Sequence, residues 1–361
     1  MDGVHLTGPQ ASNDFGIPRR GDGSLMDRLF TELNLPREYG FETLPPGLKP
    51  VRFAQDNYTN MDGFGESLVD VGYWYDGKIV SNVWSDALAR TPYSPKVRRD
   101  LLAWRSNQGG TNGLTAQQLD GMSYRHFLEV VKGYDPEVTR FASGTIGLLT
   151  GLSPDAVAAN ACLRFVSDTP EQIPSFPGGN SGLVRPLVKK IFPEAIAGKQ
   201  QFADMITGRV NFAAFDRSGQ PVRLRLGSTA VRVGHDASGK AVRIVYSRHG
   251  RLHHVRASAV VMASGGWVNR RVLADMPEEI AAAYAQFVHA PALVVNVALS
   301  NWRPLYKLGV SALRWREQDG MLGFAGNIRE PMIVPGATMP LHPDKPALFT
   351  LYMGLTTPGE A

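Results

Sequence analysis

The chain has 361 residues, 43% hydrophobic and 20% charged, with 38 glycines and 25 prolines. Those fractions exclude intrinsic disorder and leave chain for two to three domains of about 150 residues each. Lys and Arg exceed Asp and Glu by 38 to 33, a net charge of +5. The basic residues run at most in pairs, as at Arg98-Arg99, Lys189-Lys190 and Arg270-Arg271. That reads as an ordinary basic surface and not as a nucleic-acid site.

The longest apolar runs, such as Ala259–Ala263 and Pro291–Leu299, fall far short of the roughly 20 residues of a membrane span. No apolar signal-peptide core is visible near Met1, so the cytoplasm is the default compartment, and the periplasm stays open should a segment precede Met1. The single cysteine, Cys162, excludes an intramolecular disulfide and a cysteine-based zinc site. Its apolar surroundings, Ala156–Leu163, predict a packed core thiol.

Residues 1–23 read as irregular chain. Ser24 can cap a helix carrying Leu25, Leu29 and Leu33, which Pro36 stops. Val69–Tyr75 and Lys78–Val83 flank the hairpin turn signal Asp76-Gly77. Four short helices are predicted next: Ser94–Trp104, Ser123–Val131, one starting at Asp135-Pro136 and reaching Phe141, and one from Ser153-Pro154 to Leu163. Phe176-Pro177-Gly178-Gly179-Asn180 then leads into a helix through Leu183, Leu187 and Ile191 despite Pro186. From there the period becomes that of strands. Val222–Leu226, Val231–Val233, Val242–Tyr246 and Leu252–Arg256 predict an antiparallel meander, half exposed. Ala259–Ala263 lacks alternation and predicts a strand buried on both faces of a parallel sheet, ending in Ser264-Gly265-Gly266. A helix over Pro277–Phe287 precedes strands at Pro291–Leu299, Val310–Trp315 and Ala347–Met353.

Familiar catalytic signatures are missing. No Gly-x-Gly-x-x-Gly, no GxxxxGK[ST] phosphate loop and no Gly-x-Ser-x-Gly occurs. His253-His254 are adjacent and face opposite sides of a strand, so no metal site is expected. Two glycine clusters remain. Pro177–Asn180 opens a helix and reads either as an anion site at its N-terminus or as a tight turn. Ser264–Gly266 ends the apolar strand, where α/β folds place ligands.

The order of these segments is more informative than any one. A Gly-Gly turn into a helix, a meander, and an apolar strand ending in Ala-Ser-Gly resembles the flavin-containing amine oxidoreductase superfamily. The resemblance is closer to bacterial spermidine dehydrogenase-like FAD-dependent oxidoreductases. It is carried by Gly8–Gly16, Phe176–Phe192, Pro221–Val233, Val255–Gly265 and Val294–Val310, and it keeps one register to about Leu355.

The resemblance implies a mixed α/β fold, with a partial FAD/NAD(P)-binding Rossmann-like domain and its antiparallel β-meander interleaved with a substrate domain of mixed sheet and helices. The division is a flavin-proximal loop at 1–23, a mostly helical substrate part at 24–175, an FAD-binding part at 176–275 and a substrate-domain sheet part at 276–361. It also implies FAD as cofactor, with Ala230 and Val231 presenting backbone to the adenine. Ala263, Ser264 and Gly265 would lie beside the ADP moiety, and Gln10, Ser12 and Asn13 near the flavin ring. The substrate would be a small-molecule amine, a polyamine by the closer resemblance; Tyr73, Trp74 and Tyr75 with Asp70 and Asp76 supply residue types that bind cations, and read more readily as a stabilised hairpin surface. No residue is assigned a catalytic role.

The pattern departs from such proteins at both ends, since the opening glycine fingerprint and the closing FAD segment are missing. A fragment of a longer flavoprotein is expected, or a partner polypeptide that supplies the rest. The uncovered strand would favour association and leaves a homo-oligomer open. Where many amine oxidases carry a lysine, Ala292–Val295 are apolar. The competing class is a scaffold or interaction domain that keeps the fold without the cofactor.

Overall fold

In chain order the elements begin with α1 (Leu25–Glu32), β1 (Val71–Tyr75), β2 (Lys78–Ser81), α2 (Pro95–Ser106), α3 (Ala116–Asp120) and α4 (Tyr124–His126). There follow α5 (Pro136–Thr150), α6 (Ala159–Asp168), α7 (Ser181–Ile191), α8 (Phe202–Thr207), β3 (Ser228–His235), β4 (Val242–Arg248) and β5 (Arg251–Ala257). The last are α9 (Gly266–Val272), α10 (Glu278–Ala285), β6 (Ala292–Leu299), α11 (Arg303–Leu308), β7 (Ala312–Arg314), β8 (Ala325–Ile328) and β9 (Ala347–Gly354). This computed structural model describes residues 6–8, 16–55, 69–106, 110–168, 176–316, 323–334 and 336–357, with backbone alone at 164–168. Among the described residues no helix is long and apolar enough to cross a membrane. The chain forms two compact units, Met1–Val210 with Ala290–Ala361, and Asn211–His289.

The first unit is built on a six-stranded mixed sheet in the order β2-β1-β7-β8-β9-β6. Its one parallel pairing is β1 with β7, and the other ladders are antiparallel. The hairpin forms as its turn residues require, with Asp76 and Gly77 both at positive φ (45° and 87°). Tyr73 stacks on Phe141 of α5 at 6.4 Å, and the Trp84 indole N–H donates to the Tyr73 hydroxyl at 2.9 Å. Arg314 is buried among them, its guanidinium 4.4 Å from the Phe141 ring centre and donating to the Phe141 carbonyl at 2.6 Å. That arrangement satisfies a charge that burial would otherwise penalise.

α5 runs past the expected Phe141 to Thr150 because its glycines serve packing. A Cβ on Gly144 would lie 2.4 Å from Phe324, and one on Gly354 would lie 2.3 Å from the Gly147 carbonyl. The bare helix face therefore lets β9 come close. The helix expected from Ser153 begins only at Ala159. Tyr124 donates to the Val157 carbonyl and Ala159 to the Met122 carbonyl, so residues 153–158 spend their backbone groups on a neighbouring segment.

The second unit carries a three-stranded antiparallel sheet, β3-β4-β5. The expected first strand, Val222–Leu226, is not one. Leu224 N–H donates to the Phe215 carbonyl, while Arg223 and Arg225 turn to Asp216. Ala259–Ala263 also differs from expectation, for it forms no ladder and Val261 is 91% exposed. Its composition suits burial on both faces, but none of the described strands pairs with it, and an extended segment becomes a strand only through a partner. Trp267, Ile280, Phe287 and Val288 are likewise exposed in this unit.

Candidate functional site

A cavity of about 550 Å³ opens in the first unit. One wall is the Gly178-Gly179 turn with Ser181 and Arg185 of α7, and the other is the chain from Ile328 to Leu341 with the start of β9. Ile206, Met332, Met339 and Leu348 make it largely apolar, as small-molecule sites are. Among the described residues three charged side chains line it: Arg185, Arg329 and Glu330.

Arg185 is committed to structure. Its Nε donates to the Met205 carbonyl at 2.7 Å and its Nη2 to that of Gly208, clamping α7 to α8. Burial holds its pKa below the usual guanidinium value. Among the described residues Glu330 is held through one carboxylate oxygen. Its Oε2 accepts from Gln55 Nε2 at 2.9 Å, and its backbone N–H donates to Ala54 at 2.9 Å. The cavity thus contains one carboxylate held in place by a neutral donor.

The Gly-Gly turn resolves the two readings of Pro177–Asn180. Gly179, Gly182 and Leu183 donate to Phe176, Gly179 and Asn180 at 2.7, 2.9 and 3.2 Å, so these three N–H groups are spent within the turn, which favours the tight-turn reading. A Cβ on Gly182 would lie 2.1 Å from the Pro177 carbonyl, so only glycine fits this approach. Phe176 anchors the turn among Phe30, Tyr39 and Phe202.

The residues that the resemblance assigns to FAD fall in several places. Ala230 and Val231 lie on β3, the edge of the meander, and both are exposed. Ala230 pairs with Tyr246 and Arg232 with Val245, so Val231 is the extra residue of a β-bulge. Ala263, Ser264 and Gly265 form the link into α9, in the same unit. There Ser264 Oγ donates to Asn269 Oδ1 at 2.5 Å and Asn269 Nδ2 donates back to the Ser264 carbonyl at 3.2 Å. Gly265 has φ −59°, so no left-handed backbone explains it. Gln10, Ser12 and Asn13 lie outside the described residues.

These positions test the fit of the cofactor. An unpaired bulge on an open edge suits the backbone hydrogen bonding that an adenine requires. The one glycine-rich helix start among the described residues of that unit is Gly265-Gly266 at α9, a helix of seven residues whose Val268 and Asn269 N–H groups donate to the Gly265 carbonyl at 2.9 and 3.0 Å. The fit is confined to the adenine end.

The aromatic hairpin is not a cation cage. Tyr73 and Tyr75 are buried, and burial pushes the Tyr75 hydroxyl well above its ordinary pKa. Asp70 is held by Arg52 and Asn82, and Asp76 lies in solvent. Among the described residues no group of three or more metal-ligating side chains occurs. Glu330 could not be picked out in the sequence, because it lies in irregular chain after a short strand and has no motif around it.

Fold and cavity define a two-unit mixed α/β protein with a largely apolar cavity in the larger unit. No protein-family model matches the chain, and no curated protein matches it. Among solved structures it is similar to cyclohexylamine oxidase from Brevibacterium oxydans IH-35A, at 14% identity over 91% of this chain and 60% of that one, with TM-score 0.49. A putrescine oxidase variant from a redesign of cofactor binding gives 14%, 93%, 63% and 0.47. A CLA-producing fatty acid isomerase from P. acnes gives 9%, 96%, 66% and 0.47. The chain thus spans about 60% of the length of the cyclohexylamine oxidase. At such identities residue roles do not transfer from these proteins to this chain.

Proposed function

We propose that this protein is an FAD-dependent oxidoreductase of the amine oxidase type, acting on a polyamine at a carbon next to nitrogen. The observation that carries this reading is the largely apolar cavity of the first unit, whose one carboxylate among the described lining residues, beside Arg185 and Arg329, is the anchored Glu330. The Oε1 atom of Glu330 would take one charged nitrogen of the substrate, which places another nitrogen along the apolar walls. Those walls exclude water and favour the neutral amine there. Bound FAD would supply the hydride acceptor, and Ala230 and Val231 with Ala263, Ser264 and Gly265 are the residues proposed to hold its adenine end.

Purified protein mixed with FAD and then anaerobically with spermidine should lose flavin absorbance near about 450 nm. Glu330→Gln should raise the KM for the polyamine by about tenfold or more, and that for an apolar monoamine much less. An equal effect on both substrates would remove Glu330 from the site. The second reading, a scaffold without cofactor, is favoured by the start of α9, where the Val268 and Asn269 N–H groups are spent on the Gly265 carbonyl. Protein that takes up no flavin and bleaches none would establish it.

A further inference from the structure

The net charge of the chain is not spread evenly. Asn211–His289 contains eleven Lys and Arg against five Asp and Glu, a surplus of six, whereas the whole chain has a surplus of five. Five of the eight histidines lie there as well. A basic surface that looks scattered along the sequence is therefore gathered into one unit.

Strand register sharpens this. β4 and β5 place Arg248 directly opposite Arg251, and Arg243 directly opposite Arg256. Like charges in such positions destabilise a sheet unless something neutralises them. At the second pair Asp236 does so, its Oδ2 accepting from Arg256 Nε and Nη2 at 3.0 and 2.9 Å. At the first pair, among the described residues, Asp216 is the one carboxylate bonded, through Arg248, and it is already shared. It accepts from Arg223 Nε at 2.6 Å, Arg225 Nε at 3.3 Å and Arg248 Nη1 at 2.9 Å. Three guanidinium groups thus share one carboxylate, and the register sets Arg251 opposite one of them, so that among the described residues these four arginines carry a surplus of three positive charges over Asp216.

The cluster is also pre-organised. Arg225 lies over the Tyr246 ring at 5.7 Å, and Tyr246 stacks on His253 at 5.3 Å. Burial works against ionisation of Asp216, but the bonds from Arg248, Arg223 and Arg225 outweigh it and keep its pKa below the ordinary carboxylate value. The Asp216 side chain is 16% exposed, whereas those of Arg223, Arg225 and Arg248 are 37, 29 and 33% exposed. Asp216 thus pins the guanidinium groups from behind while their other N–H groups stay within reach of solvent.

We propose that Arg223, Arg225, Arg248 and Arg251 form a binding site for a phosphate group. Several N–H donors in rigid forks match an anion with three or more acceptor oxygens, and a dianionic monoester comes closest to that surplus of charge. The phosphate belongs either to a small soluble ester or to a lipid headgroup. The site is independent of the flavin reading.

The test uses the full chain and titration calorimetry with inorganic phosphate. Wild type should bind it with a Kd of about 1 mM or below, weakening as salt rises. Arg251→Gln, at an exposed position outside the Asp216 bonds, and Arg223→Gln should each raise Kd at least about fivefold. Arg243→Gln, on the other face, should leave Kd within about twofold. Cosedimentation with phosphatidic acid vesicles, lost in Arg251→Gln, identifies a lipid source, and phosphate binding without cosedimentation identifies a soluble ester. Absence of binding by wild type at tens of millimolar, or equal Kd in wild type and Arg251→Gln, overturns the proposal and leaves the cluster as a tether for residues 216–226.

Discussion

Replacing Asp70 by Asn should destabilise the first unit by about 2–3 kcal/mol at neutral pH. Asp70 is 8% exposed and ties three parts of the unit together. Its Oδ1 accepts from Arg52 Nη2 at 2.5 Å, Arg52 Nε at 3.2 Å and Asn82 Nδ2 at 2.9 Å, while Oδ2 accepts from the Arg52 backbone N–H at 2.8 Å. Its own carbonyl accepts from Ser311 at the start of β7. Asn keeps the shape but turns an NH₂ toward one of these donors and loses the charge. Breaking a fully buried pair costs about 3–5 kcal/mol. Because Arg52 is half-exposed, solvent screening brings the expectation below that range.

Burial raises the pKa of Asp70, but the hydrogen bonds from Arg52 and Asn82 outweigh it, so the folded value lies below the ordinary 3.8. A depressed folded pKa gives stability that is complete above the unfolded value and lost as pH falls through the folded one. The difference between wild type and Asp70→Asn should therefore be full at pH 7 and shrink as pH falls below about 4. Urea unfolding followed by tryptophan emission reports on the right unit, since of the six tryptophans only Trp267 lies in the other. The melting point should fall by roughly 4–10 °C. A loss below about 0.5 kcal/mol at pH 7, or a penalty undiminished in acid, would refute the role assigned to this carboxylate.

Cys162 is fully buried and burial pushes its thiol up to about 12, so it should resist a thiol-specific reagent in the native protein and react promptly in denaturant; rapid native labelling would contradict its placement. Gly182→Ala should lower stability by about 1–3 kcal/mol, because the new Cβ meets the Pro177 carbonyl, a backbone atom that can move only with the turn. A raised melting point, as helix propensity alone would give, would show that the turn is looser than described.

Local chemistry made several elements legible in the sequence. Ser24 caps α1 by accepting from Asp27 at 3.0 Å, Asp135 caps α5, and Asp76-Gly77 closes the hairpin. Pro186 is tolerated inside α7 as expected, and β6 and β9 lie where their apolar runs stand. Caps and two-residue turns are decided by groups within four positions of one another, so no distant residue need be known.

What only the tertiary structure decided depends on which chain lies opposite. The alternation of Val222–Leu226 and the apolar run of Ala259–Ala263 show what these segments could bury, not whether a partner strand is present, and neither forms a ladder. Glu330 becomes part of a cavity because Gly178, Arg185 and Leu348, far apart in sequence, surround the same space. The arginine cluster has the same origin. A surplus that reads as pairs along the chain becomes three guanidinium groups on Asp216 once the loop folds Arg223 and Arg225 inward beside Arg248, with register setting Arg251 opposite it. Hydrophobic period and local charge report a residue's capacity for contact, and its partners are chosen by the packing of the whole chain.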